Sequence, residues 1–132
     1  MTTPWQHQSV LAAESLEMLR VGPGDVYADA TAGLGGHAAL AAERVGPGGT
    51  VILNDLDESM LARALARVRD AQPQVRIETV HGSFAGLPAG LVQRGLKADA
   101  LLADLALASP QVADAARGFS FRHDGPLDMR LD

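Results

Sequence analysis

The residues best suited to chemistry are a glycine-rich stretch and the acid that follows it. Asp29, Thr31, Gly33, Gly35, Gly36 and His37 fall within nine positions, and Asp55 follows Gly35 by 20 residues. Glycines let the backbone turn sharply and approach a ligand where a Cβ would collide. A helix opening behind such a turn offers N–H groups that have no intrahelical partner. A carboxylate at Asp55 can accept hydrogen bonds from both ribose hydroxyls of an adenosine-type cofactor. The competing reading is a plain tight turn followed by a solvated acid, and one short motif leaves both open.

The spacing is not G-x-G-x-x-G. It runs G-x-G-G-x-A from Gly33 and D-x-T-x-G-x-G from Asp29. The second form is closer to the glycine loop of AdoMet-dependent methyltransferases than to a dinucleotide fingerprint. Asp104 closes another apolar run, so Asp29, Asp55 and Asp104 each end one. An edge with three carboxylates suits a sulfonium cation better than a pyrophosphate. His81-Gly82-Ser83-Phe84 follows a further run. Phe84 stacks on an adenine or fills the core.

Other chemistries find little support. His7, His37, His81 and His123 lack ligand spacing, so no metal is expected. There is no Cys, which excludes a thiolate nucleophile and a Cys-ligated metal. Ser109 and Ser120 have no G-x-S-x-G setting. Arg117, Phe119 and Phe121 form a group that either stacks on bases and holds phosphate or packs under a loop.

The elements that must position these residues alternate. Helical patterns run near 8–20, with Val10, Leu11, Glu14 and Met18 at helical spacing, then over 37–45 and 58–70, with a weaker one within 85–94. In the 58–70 helix Leu61, Ala64, Leu65 and Val68 share one face, Arg63, Arg67 and Arg69 face water, and Asp57 is placed to cap it. Strand patterns run over 25–30, 50–55, 75–80 and 98–104. Such alternation implies parallel βαβ units with helices on both faces. No periodicity is evident beyond residue 105.

Length and composition fit one globular domain. The chain has 132 residues, 47% hydrophobic and 20% charged, with a net charge of −5. Acidity argues against a surface-wide nucleic-acid footprint. No apolar run reaches the roughly 20 residues of a membrane helix, and the start has no secretory pattern, so a soluble cytoplasmic protein is expected.

Several stretches together resemble the N-terminal part of the bacterial 16S ribosomal RNA cytosine-N4 methyltransferases, the MraW/RsmH family. They are H-x-x-V-L-x-x-E (7–14), Y-A-D-A-T-A-G-L-G-G-H (27–37), N-D-L-D (54–57), H-G-S-F (81–84), A-D-L-A-L-A-S-P-Q (103–111) and R-G-F-S-F-R-H-D-G-P-L-D-M-R-L-D (117–132). The resemblance implies AdoMet as cofactor. Gly35, Gly36 and His37 would line its methionine and sulfonium end, Asp55 would hold the ribose, Phe84 would contact the adenine side, and Asp104 and Gln111 would complete the pocket. It implies methyl transfer to the exocyclic N4 of a cytidine in 16S rRNA of the small ribosomal subunit. Where the family usually has D-L-G-V-S-S-P-Q, this chain has Ala106 for a Gly and Ala108 for a Ser, and Ala113 and Ala116 replace acids.

Family members are longer. The resemblance therefore implies that residues 1–132 are a single N-terminal part of a Rossmann-like class I methyltransferase domain, without its insertion domain and C-terminal strands. The fold expected is α/β with an incomplete parallel sheet of order 3-2-1-4. Its open edge strand invites self-association. Asp104 is the candidate catalytic residue, because a carboxylate near the amine can accept its proton. Two other readings stay open: an AdoMet-binding module without catalysis on its own, truncated or needing a partner chain, and an NAD-type dinucleotide enzyme, which the glycine spacing fits poorly.

Overall fold

The computed structural model describes Ser9 and residues 11–132. His7 and Val10 of the first motif lie outside the described residues. The chain runs α1 (Ala12–Met18), β1 (Val26–Asp29), α2 (Gly36–Val45), β2 (Thr50–Asp55), α3 (Glu58–Ala71), β3 (Arg76–His81), α4 (Leu87–Gln93), β4 (Ala100–Leu102) and α5 (Ser109–Ala113). The four strands pair in parallel in the order β3-β2-β1-β4, the order expected from the sequence.

Alternation along β1 and β2 divides the core. Tyr27, Val51 and Leu53 pack with Leu16, Ala38, Ala42, Val45, Leu61, Ala64 and Val68 under the first three helices. Ala28, Ala30 and Ile52 pack on the other face with Leu87 of α4. Burying each Leu or Val side chain contributes about 1.5–3 kcal/mol before the entropy of ordering is counted. The periodicity of α3 holds: Leu61, Ala64 and Val68 are buried while Arg63, Arg67 and Arg69 are exposed. Asp57 caps this helix, accepting the N–H groups of Ser59 and Met60.

Three expectations change. The buried face of α1 is Ala12 and Leu16, whereas Leu11 and Met18 are exposed; the i, i+4 pair that meets α2 fixes the rotation of so short a helix. β4 has only three residues, and Leu101, paired in register with Ala28, is 49% exposed. Leu87 of α4 packs with Ala28 and Ile52 while Leu101 stays half exposed, so full burial on both faces holds for the central strands alone. Residues beyond 105 are not featureless, since α5 and a 3-10 turn at Ala115–Arg117 form there. Both are too short to leave a readable period.

Candidate functional site

The C-terminal ends of the strands open into a cleft of about 220 Å³, where an open parallel sheet is expected to bind ligands. One wall is the turn between β1 and α2, with Thr31, Gly33, Gly36 and His37. Asp55 and Leu56 follow from β2, and Ser83 and Phe84 from the loop after β3. The opposite wall is the segment Asp104–Ala108 with Gln111 and Leu131.

Asp55 ties the glycine turn to β2. Its Oδ2 accepts the N–H of Gly33 at 2.7 Å, and its Oδ1 accepts the N–H of Asp57 at 2.9 Å. A carboxylate has about four acceptor positions, so capacity for two hydroxyls remains. Thr31 ties the turn to β4, because its Oγ1 accepts the N–H of Asp104 at 2.7 Å. The Asp104 side chain is exposed at the rim.

Asp29 is not at the cleft surface, contrary to the three-acid edge read from the sequence. It is 1% exposed and lies beneath the turn. Its Oδ1 accepts the N–H of Thr31, and the Tyr27 hydroxyl reaches its Oδ2 at 3.5 Å. Burial pushes its carboxyl up to about 6, with the charge of Asp55 adding to the rise; the Thr31 N–H and nearby His37 oppose it. Burial likewise raises the Tyr27 phenol.

The other expected site residues divide. Gly36, His37, Asp55, Phe84, Asp104 and Gln111 line the cleft together. Phe84 is 51% exposed there, so it is a wall aromatic and not a core one. Gly35 stands behind the wall and faces α3. Its φ is 76°, and an added Cβ would lie 2.8 Å from the Cα of Ala64. The glycine is needed for helix packing and a left-handed cap. Gln111 is buried and directs its amide into the protein: Nε2 donates to Asp57 and Oε1 accepts the N–H of Ala108.

Arg117 resolves differently from both sequence readings. Its guanidinium pairs with Asp57 at 2.7 Å and donates to the carbonyl of Leu131, so it is turned inward. Phe119 is partly buried and Phe121 is fully exposed; the three do not form one stacking patch. Among the described residues no group of His, Cys, Asp and Glu is arranged to hold a metal ion, and no helix is long and apolar enough to cross a membrane.

Sequence reasoning missed Thr31 as a clamp and Asn54 as a wall residue. Asn54 is 1% exposed; its Nδ2 donates to the carbonyl of Gly82, and its Oδ1 has no partner among the described residues. The available signal was a polar residue at the end of an otherwise apolar strand.

The MraW methylase family model matches residues 4–132. The ribosomal RNA small subunit methyltransferase H of Burkholderia vietnamiensis is 45% identical over 128 residues, covering 96% of this chain and 39% of that protein. Its namesake in Shewanella pealeana is 42% identical, covering 100% and 41%. The chain thus spans about two fifths of the length of these relatives. A solved structure described as a candidate rRNA-methylase from Clostridium thermocellum superimposes with a TM-score of 0.53 at 23% identity, over 62% of this chain and 46% of that one. At that identity the likeness is one of fold.

Proposed function

The chain belongs to the MraW methylase family, and on that premise we propose that its cleft binds AdoMet and serves methyl transfer to the exocyclic N4 of a cytidine in 16S rRNA, in the bacterial cytoplasm. The observation that carries this is the convergence of Gly36, His37, Asp55, Phe84 and Asp104 on one cleft. Residues from four separate stretches meet there, each of a type the cofactor requires.

The residues fit that cofactor. Asp55 is fixed by two backbone N–H groups and keeps acceptor capacity for the ribose hydroxyls. Phe84 presents an exposed face on which an adenine can stack. The unpartnered Oδ1 of Asn54 is a buried acceptor in the same wall, and such groups are ordinarily satisfied. Gly36 and His37 border the end nearest Asp29, whose charge favours a cation.

AdoMet supplies an activated methyl group when bound. The protein's work is then to position the acceptor in line and relieve the amine of its proton. Asp104 is exposed at the rim and anchored through its N–H to Thr31. It is the residue proposed to accept a hydrogen bond from the amine and leave the nitrogen lone pair available. Gln111 supports the wall behind it.

One observation favours a second reading for this 132-residue chain taken alone, that it binds AdoMet but transfers methyl groups poorly. Its net charge is −5, and the exposed arginines of α3 lie on a solvent face away from the cleft, while RNA affinity rests largely on phosphate neutralisation. Incubation with labelled AdoMet and small ribosomal subunits tests both readings. Strong label transfer to a cytidine supports the minimal enzyme; binding without transfer supports the module. Among the described residues β4 pairs with β1 alone, and its other edge is proposed to pair with a second copy. Light scattering across concentrations should show a dimer, and a strict monomer would remove that proposal.

A further inference from the structure

Asp57 and Arg117 do not line the cleft, yet they join its two walls. Asp57 is 2% exposed. Its Oδ1 accepts the N–H groups of Ser59 and Met60 and the hydroxyl of Ser59. Its Oδ2 accepts Nε2 of Gln111 at 3.0 Å and a guanidinium nitrogen of Arg117 at 2.7 Å. Its own N–H donates to Asp55. From this one residue, hydrogen bonds lead to Gly33 through Asp55, to Ala108 through Gln111, and to Leu131 through Arg117. Gly33, Asp55, Ala108, Gln111 and Leu131 all line the cleft.

Apart from the Asp104 N–H that Thr31 accepts, the far wall has little else to hold it. Asp104–Leu107 are exposed, and α5 has five residues. The segment after α5 folds back on Arg117: the N–H of Met129 donates to the Arg117 carbonyl at 2.8 Å, and a Cβ at Gly118 would collide with the carbonyl of Pro126. Charge-assisted bonds that are largely shielded from water fix geometry better than exposed ones.

We propose that the Asp57–Arg117 pair is a positioning device that sets the far wall of the cleft, and that through it AdoMet binding and the docking of residues 128–131 favour each other. The second part rests on the AdoMet reading above; the first does not. Coupling of this kind is reciprocal: what one event gains from the other, the other gains from it. Burial works against the charge of Asp57, but its bonds from Gln111, Ser59 and Met60 and the nearby Arg117 outweigh it and hold the carboxyl below its usual range. The pair is therefore ionised at neutral pH.

The test uses the 132-residue chain, Arg117→Ala and Arg117→Lys, with amide hydrogen exchange and AdoMet titration. Without ligand, Arg117→Ala should speed exchange at Ala108 and Gln111 at least tenfold while the core strands keep the parent's rates. Unchanged exchange at those amides overturns the positioning claim whether or not AdoMet binds. With AdoMet, the dissociation constant of Arg117→Ala should rise about tenfold, and Arg117→Lys, which keeps the ion pair, should recover part of it. Saturating AdoMet should slow exchange at Met129 in the parent and not in Arg117→Ala. A residue that only stabilised the fold would leave that protection in both. Equal affinities, or protection in both proteins, overturns the coupling. A parent that fails to bind AdoMet refutes the cofactor reading and the coupling together, and the ligand-free exchange still decides the positioning.

Discussion

The two walls of the cleft are built by different means. The near wall, from β1 through α2 and β2 to Asp57, is made of regular elements whose side chains are mostly buried, and its shape follows from core packing. The far wall, residues 104–111 with 117–131, is mostly exposed and is held by a few bonds, one from Asp104 to Thr31 and the others converging on Asp57. A wall fixed by packing changes only if the core changes. A wall fixed by hydrogen bonds can shift while the core stays folded. The cofactor contacts proposed here are divided accordingly: Gly36, His37 and Asp55 on the rigid side, Asp104 and Gln111 on the adjustable one.

The largest effect should come from the residue that serves both walls. Asp57→Ala removes the cap of α3, worth about 1–2 kcal/mol, and leaves Arg117 and Gln111 without their acceptor. Breaking a buried ion pair costs about 3–5 kcal/mol, and Arg117 retains some access to solvent. A loss of about 2–4 kcal/mol in urea unfolding is expected. A loss no greater than that of a cap would show that the two walls are independent. Because the Asp57 carboxyl is depressed in the folded chain, its contribution is present above the ordinary carboxylate range and is lost as pH falls through the depressed value.

Asp55→Ala comes next and acts on the near wall. AdoMet affinity should fall by about 1–3 kcal/mol, the cost of leaving hydroxyls without a charged acceptor. Asp55 also holds the N–H groups of Gly33 and Asp57. A stability loss of about 1–2 kcal/mol is therefore expected as well. Calorimetric titration and urea unfolding separate the two, and unchanged affinity would remove Asp55 from the site.

The smallest effect concerns pH. Asp29 has a folded-state carboxyl raised from 3.8 to about 6. Its contribution to stability is thus full below 3.8 and is lost as pH rises through about 6. A bound cation favours its charged form, so AdoMet affinity should weaken severalfold between pH 7 and 5. S-adenosylhomocysteine, which lacks the sulfonium charge, should show a smaller change. Equal pH profiles for the two would mean that the sulfonium does not sense Asp29.

Legibility in the sequence follows the same division. The near wall could be read because α3 repeats its apolar residues at helical spacing and β2 is a continuous apolar run bounded by glycine and aspartate. Order 3-2-1-4 follows from that alternation and the family resemblance. Of the far wall only Asp104 and Gln111 were legible, through the family resemblance; the rest was not, because α5 is too short for a period and its order depends on Asp57, 54 residues away from Gln111 in the chain. Gly35 and Arg117 show the limit from another side. Their types suit ligand contact, and what the structure adds is the close approach of α3 to Gly35 and the pairing of Arg117 with Asp57. Spacing identifies which residues can do chemistry; it does not say which neighbours already occupy them.

The AdoMet site proposed for this cleft has Gly36–His37, Asp55 and Phe84 on one side and Asp104–Gln111 on the other. Isothermal titration of the 132-residue chain with AdoMet at pH 7.5, beside Asp55→Ala and Phe84→Ala, tests it most directly. Saturable binding at one site per chain is expected, weakened by about 1–3 kcal/mol by the first substitution and measurably by the second. No saturable binding by the parent, or binding that both substitutions leave untouched, would contradict it.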